Sequence, residues 1–333
     1  MKRLFLKTIV AAVAVAACGL ASAQERTIKF TTQNPKGHPL VMGMEKFAEI
    51  VQAKSGGKIK VNLFPGGVLG GDAPVVSALQ GGTIEMASMN SGILASQVKD
   101  FAVFDYPFMF ANGKEADAVV DGPFGKKMHA KLEPKGLIGL TYWELGFRSI
   151  TNSKRPITKV EDMEGLKLRV IPNAINVDWV KALGANPTPL AFPELYAALE
   201  QKAIDGQENP ISVINANKFF EVQKYVTLTN HQYNPQSVLM SKKFWDSLNP
   251  AEQKIITEAA AESTVYQRQQ ARLQDVTALD AVKKGGMQVT ELSAAELAKF
   301  REKMKPVLEM HGASTPEAVL ELTGELAKIR AAK

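Results

Sequence analysis

Two arginines stand apart from the other cations of this 333-residue chain. Only nine of its 40 basic residues are arginine, so lysine is the ordinary solvating cation. Arg148 lies in Gly146-Phe147-Arg148-Ser149-Ile150-Thr151-Asn152, just after the apolar run Leu137-Ile138-Gly139-Leu140-Thr141-Tyr142-Trp143. Arg169 sits in Leu166-Lys167-Leu168-Arg169-Val170-Ile171-Pro172. A guanidinium at the end of an apolar strand can project into a cleft. Its planar fork suits a carboxylate bidentately and stays charged at any physiological pH. A structural ion pair or a surface position is the alternative for each. Asp205-Gly206-Gln207-Glu208-Asn209-Pro210 reads as a polar turn between two helices, in which Gln207 or Asn209 offers both donor and acceptor to a ligand. Phe192, just before a helix start at Glu194-Leu195-Tyr196, is either core or pocket wall.

Signatures of catalysis are missing. The chain has no Gly-x-Ser-x-Gly, His-Glu-x-x-His or Walker A segment. Gly66-Gly67-Val68-Leu69-Gly70-Gly71 lacks the spacing of a dinucleotide loop. His38, His129, His231 and His311 are far apart in sequence and form no short-range metal pair. No cofactor and no metal are expected, and reversible binding is a better reading than turnover.

The formal charge of +6 is partly an export signal. Lys2 and Arg3, the apolar run Ile9 to Ala17 and the small-residue site Ala21-Ser22-Ala23 form a secretory signal peptide over residues 1–23. Its apolar run is too short to span a bilayer, which takes about 20 residues. Without Lys2, Arg3 and Lys7, 37 basic residues face 34 acidic ones, a net of +3. With no Lys/Arg block left, nucleic acid is not an expected partner. The single cysteine, Cys18, lies inside the signal. Cleavage before it, as in a lipoprotein, is the competing reading.

The elements that must position the arginines alternate. Thr27 to Thr32 reads as a strand. His38-Pro39 opens a helix with Leu40, Met44, Phe47, Ile50 and Val51 on one face. Ile59, Val61 and Leu63 alternate with polar residues as in a half-buried strand. Asp72 reads as the N-cap of a helix that Gly81-Gly82 stops. This pattern predicts α/β layers with a mainly parallel sheet. Ala78-Leu79-Gln80-Gly81-Gly82-Thr83-Ile84-Glu85 and Ala198-Leu199-Glu200-Gln201-Lys202-Ala203-Ile204-Asp205 form a quasi-repeat that favours two related lobes. From Ala251 to Lys284 no Gly or Pro intervenes, so one helix of about 50 Å could brace both lobes. Two helices with a bend near Glu262-Ser263-Thr264 are the alternative.

Gly165-Leu166-Lys167-Leu168-Arg169-Val170, Ala182-Leu183-Gly184-Ala185-Asn186-Pro187-Thr188-Pro189, Glu194-Leu195-Tyr196-Ala197-Ala198-Leu199 and Ile204-Asp205-Gly206-Gln207-Glu208-Asn209-Pro210 occur in this order. With them the chain resembles the solute-binding proteins of tripartite ATP-independent periplasmic (TRAP) transporters, in the C4-dicarboxylate-binding family. The resemblance implies a two-lobed α/β flytrap fold with a long helix spanning both lobes. It also implies a periplasmic location and delivery of a small organic acid to TRAP membrane permease subunits. Residues 24–146 plus 235–274 are expected to form lobe I, and 147–234 plus 275–333 lobe II. The resemblance assigns the ligand carboxylate to Arg169, with Arg148 assisting and Asn209 orienting. It puts Asn173, Phe192 and His231 at positions that face the cleft in relatives that bind sialic acid.

The departures bear on the ligand. Relatives selective for sialic acid carry an acidic residue and then an arginine where Asn90 and Ile93 stand here, and a loop acidic pair where Gly71-Asp72 stands. Gln33, His38, Asp72, Asn90 and Glu144 are the expected hydroxyl contacts from the first lobe, and Trp143 a pocket wall with Phe192. A uronate such as glucuronate or galacturonate fits that set. A C4-dicarboxylate with its second carboxylate on Arg148, or an aromatic acid stacked on Trp143 or Phe192, are the alternatives. Partnership with a membrane sensor and an exported enzyme of sugar acids are the competing functions.

Overall fold

The computed structural model describes residues 25–332. The expected signal peptide and Cys18 lie outside the described residues. Strand β1 (Arg26–Thr32) leads to helix α1 (Pro39–Lys54), and β2 (Ile59–Phe64) lies parallel to β1. Pro39 sits in the first turn, where no N–H is needed, and His38 Nδ1 accepts the Leu40 N–H at 3.2 Å. Helix α2 (Asp72–Gly81) follows the Gly-rich loop. Its N-cap is Gly71 rather than the expected Asp72, and no side chain caps it. The extended Gly71 makes the turn and leaves the Asp72 carboxylate free to point elsewhere.

Strand β3 (Met86–Asn90) is followed by two 3-10 turns, over Ser91–Ser96 and Lys99–Asp105, then α3 (Gly113–Asp121), α4 (Pro123–Ala130) and the 16-residue β4 (Leu137–Asn152). The second lobe follows: β5 (Lys167–Val170), α5 (Ala174–Ala182), β6 (Asn186–Pro189), α6 (Leu195–Glu200), β7 (Gly206–Pro210) and α7 (Ile211–Ala216). The 17-residue β8 (Tyr225–Ser241) returns, and α8 (Lys242–Ser247), α9 (Pro250–Lys284), β9 (Gln288–Glu291), α10 (Ala294–Ser314) and α11 (Pro316–Ala331) complete the chain.

The strand order is β2-β1-β3-β8-β4-β7-β5-β6, with β9 beside β8. The flanks are parallel, as expected, but the centre is not: β4 pairs antiparallel with β8 along its length, β3 with β8, and β7 with β4. Both long strands run from one lobe to the other, in opposite directions. Their register shifts at Gly139/Thr141, Glu144/Gly146 and Arg148/Ile150. Such bulges bend and twist a ribbon, here between the two lobes.

The quasi-repeat is a structural one. Thr83 N–H bonds the Ala78 carbonyl at 2.9 Å and Ala203 N–H the Ala198 carbonyl at 3.0 Å, which closes α2 and α6 in the same way. Gly82 and Lys202 both turn left-handed, at φ 79° and 58°. The acids that follow do the same work: Glu85 accepts the Lys29 N–H of β1 at 2.7 Å and Asp205 the Lys167 N–H of β5 at 2.9 Å.

Helix α9 is one unbroken helix of 35 residues, about 52 Å long, without the alternative bend. Asn249 and Glu252 cap it reciprocally at 2.9 Å. Lys54 of α1 pairs with Glu258 and Glu262 at 2.6 and 2.8 Å, and further along α9 packs on α7 of the second lobe. Gln267 reaches the bulge in β4, accepting the Glu144 N–H at 2.8 Å and donating to the Glu144 carbonyl at 2.7 Å. Gly43 of α1 makes room for it, since a Cβ there would stand 2.7 Å from Gln267 Cγ. Helix α10 packs on α5, with His311 Nε2 2.9 Å from Asp178. Helix α11 instead joins first-lobe helices through Lys127–Glu321 (2.7 Å) and Arg330–Glu115 (2.6 Å). Residues 316–331 thus depart from the expected assignment of 275–333 to lobe II.

Candidate functional site

A cavity with about 850 Å³ of empty space, part of it open to solvent, lies where the two lobes meet. Strand β5 delivers Arg169 to it from the second lobe. The residue is 2% exposed. Its Nε donates to the Leu190 carbonyl at 2.8 Å, and its guanidinium carbon lies 5.8 Å from the centre of the Phe192 ring. Its Nη1 is buried and has no hydrogen-bond partner. Burial pulls the guanidinium down to about 10, against the opposing pull of Glu208, so it remains charged near neutrality. An Arg fixed at Nε presents its Nη1/Nη2 end, which can meet a carboxylate.

Arg148 also lines the cavity, but its fork is committed. Nε and Nη2 bond the two carboxylate oxygens of Glu208, the latter at 2.8 Å, and Nη2 also reaches the Glu208 carbonyl at 2.5 Å. Both residues are buried in full. Burial alone would raise Glu208, yet Arg148, with help from His231, holds it at about 2. The structural ion pair is therefore the alternative realised at Arg148. Glu208 lies on β7, where a polar turn was expected: Gly206–Pro210 is a fully buried strand paired with β4 and β5. Its polar side chains are answered by neighbours. Asn209 Nδ2 donates to Gln207 Oε1 at 2.5 Å, Gln207 Nε2 to Thr151 at 2.9 Å, and Thr151 to Gln223 at 2.8 Å. That chain of bonds fixes Asn209 at the cavity wall.

The first lobe supplies Gln33, Asp72 and Asn90 to the same cavity. Gln33 Nε2 donates to the Gly70 carbonyl at 3.0 Å, and its Oε1 is buried without a partner. Burial pushes the Asp72 carboxyl up to about 6, against Arg169 and Gln33, which both lower it. Asn90 is engaged: its Oδ1 accepts the Ile93 N–H at 2.9 Å and its Nδ2 donates to Asp105 at 3.3 Å. Asn34, Asn234 and Gln236 also line the cavity and were not singled out from sequence. A signal for the last two exists: Gln232, Asn234 and Gln236 put amides at every second position of a strand, on one face.

Five expected contacts fall elsewhere. His38 caps α1, and burial lowers it to about 3. Glu144 pairs with Arg272 of α9 at 2.7 Å. Trp143 is core, its ring 5.7 Å from Phe30 and its Nε1 bonded to Thr264 at 3.2 Å. His231 packs on Trp179 and stands behind Glu208 at 3.5 Å. Asn173 caps α5 and donates to Asp105, which also accepts from Asn176 at 3.0 Å. Asp105, from the first lobe, thereby clasps two amides of the second. Among the described residues no group of His, Cys, Asp and Glu is placed to hold a metal ion, and no helix is long and apolar enough to cross a membrane.

Known proteins share this fold. The family model described as bacterial extracellular solute-binding protein, family 7, matches residues 30–315. A TRAP periplasmic solute-binding protein from Ochrobactrum anthropi is 54% identical, with a TM-score of 0.83 over 94% of this chain and 98% of that one. The sugar acid binding protein of Advenella mimigardefordensis, solved with galactonate, is 44% identical, with a TM-score of 0.90 over 92% and 99%. The 2,3-diketo-L-gulonate-binding periplasmic protein YiaO of Escherichia coli is 35% identical over 83% of this chain and 84% of its own. These are transport proteins that bind solutes and not enzymes. A two-lobed sheet braced by one long helix, with a free arginine end in the cleft, agrees with this match, and the chain belongs to the family 7 solute-binding proteins of TRAP transporters.

Proposed function

We propose that this protein captures a sugar acid of the uronate or aldonate type in the periplasm and hands it to the membrane subunits of a TRAP permease. The observation that carries the reading is the buried, unpartnered Nη1 of Arg169 in a cavity walled mainly by amides and apolar side chains, with Asp72 and the Glu208-paired Arg148 as its other charged groups. An unanswered buried cation favours an anion that brings a negative charge and little else. The amides Gln33, Asn34, Asn209, Asn234 and Gln236 suit a chain of hydroxyls, each of which donates and accepts. Galactonate in the 44% identical neighbour and the diketogulonate of the Escherichia coli relative are acids of this kind. A C4-dicarboxylate is less well served, because the fork of Arg148 is held by Glu208.

Contacts from both lobes let ligand shift the protein toward its closed form without any chemistry. A panel of uronates, aldonates and dicarboxylates in a thermal-shift experiment tests this. At least one six-carbon sugar acid should raise the melting temperature, and Arg169→Ala should abolish that rise through a loss of affinity of about 100-fold or more. A rise that survives Arg169→Ala would refute the anchor. Uptake of the same acid, lost on deletion of the permease subunits, tests the delivery step and separates it from a sensor partnership.

A further inference from the structure

The cavity wall holds one carboxylate, Asp72, that does not cap its helix and keeps one buried oxygen without a partner. Its charged residues are Arg169, Arg148 and Asp72. Arg148 is neutralised by Glu208, so Arg169 and Asp72 are the charges an occupant has to answer. Asp72 is the first residue of α2 but does not cap it, because Gly71 takes that position. Its Oδ1 is buried and accepts no hydrogen bond. Arg169, across the cleft on β5, is the charged group that acts on it, and Gln33 is its side-chain hydrogen-bond partner.

We propose that Asp72 determines specificity: it accepts a hydrogen bond from a ligand hydroxyl and repels a second ligand carboxylate, which restricts the site to acids bearing one carboxylate. The inference rests on the sugar-acid reading above and deepens it. A ligand with one carboxylate uses the single free cation, Arg169, and its hydroxyls can donate to Asp72 in a charge-assisted bond. A dicarboxylate of the same length brings a second charge into a cavity whose other cation, Arg148, is already paired with Glu208. An unpaired carboxylate is costly there, and a fixed carboxylate nearby adds repulsion that low dielectric strengthens. Selectivity thus comes from a built-in penalty against the wrong ligand as much as from attraction to the right one. Burial holds the Asp72 carboxyl at about 6 despite Arg169 and Gln33, so acidification below that value removes the negative charge and should relax the discrimination.

Calorimetric titration of the full chain with galactonate and galactarate tests this, because the two differ only in carrying CH₂OH or carboxylate at one end. The wild type should prefer galactonate. Asp72→Asn should narrow the affinity ratio by about tenfold, the scale of one like-charge contact removed. Asp72→Glu should keep the ratio. Lowering pH from 7.5 to 5 should narrow it in the wild type and leave it flat in Asp72→Asn. A ratio unchanged by Asp72→Asn, or both affinities rising equally because Asp72 merely neutralises Arg169, overturns the inference. Should Asp72→Asn fail to fold, the pH dependence of the wild type decides: a ratio flat across that range overturns it. A wild type that binds neither acid overturns the sugar-acid reading instead.

Discussion

Arg148 and Arg169 look alike in sequence and differ in what holds them. Each follows apolar residues in a strand, and each is buried. Arg148 bonds a carboxylate of its own chain 60 residues away, whereas Arg169 donates a hydrogen bond from Nε to the Leu190 carbonyl and leaves Nη1 without a partner. Glu208→Gln should therefore destabilise the fold by about 3–5 kcal/mol at pH 7, by leaving a buried cation unpaired. The pH dependence has a definite sign. Glu208 is held at about 2 in the folded chain and titrates near 4.5 when unfolded. Its contribution is present above 4.5 and lost as pH falls toward 2. Denaturant unfolding should show the gap between wild type and Glu208→Gln close over that window. Both proteins should already weaken below 6.5, since His38 and His129, held near 3 by burial, are neutral in the fold and charged when unfolded. The sequence motif singled out both arginines that line the cavity. What it could not convey was occupancy, because the counter-ion of Arg148 comes from another strand. Asp72 was legible as a polar residue at a helix start, but its freedom depends on Gly71 taking the cap.

Periodic elements were read with little error, and polar ones were not. Helix α9 was legible because Asn249-Pro250 and Gly285-Gly286 bracket an uninterrupted run. Strand β7 was mistaken for a turn, since Gly-Gln-Glu-Asn-Pro carries no apolar residue to betray burial. It is buried because Arg148, Thr151 and their neighbours satisfy it. The parallel sheet was right for each flank and wrong for the centre, where the sequence of β4 and β8 says nothing about direction. The join between β4 and α9 yields a prediction at this scale. Gln267 answers both the N–H and the carbonyl that the bulge at Glu144 leaves unpaired. Gln267→Leu keeps the volume and removes both partners. It should lower unfolding free energy by about 2–4 kcal/mol, measured by chemical denaturation. A loss under about 0.5 kcal/mol would mean that water replaces the amide.

On the scale of the molecule, the two lobes touch across the cleft at a point that glycine allows. A Cβ on Gly67 would stand 2.8 Å from Gln33 Oε1 and 3.0 Å from Pro193 Cγ of the other lobe, whereas a Cβ on Gly66 would meet nothing within 4 Å. Both have positive φ, 69° and 78°, so alanine strains the backbone at either. Only Gly67→Ala should also hinder closure. It should weaken sugar-acid binding about fivefold more than Gly66→Ala does, which is about 1 kcal/mol off the closed state. Titration of both variants with one ligand measures the difference, and equal losses would show that the contact does not matter to closure.

Strands β4 and β8 and helix α9 each pass from one lobe to the other. This gives the order of synthesis a role. Met86 in β3 pairs with Met240 in β8, a partner made only after the whole second lobe. A chain emerging from its N-terminus therefore holds the β2-β1-β3 edge bare until residue 241 arrives, and no single cut of the polypeptide yields either lobe intact. Pairings of such long sequence separation close slowly and leave strand edges open to other chains meanwhile. Folding of this protein should therefore be completed only after synthesis and be sensitive to protein concentration.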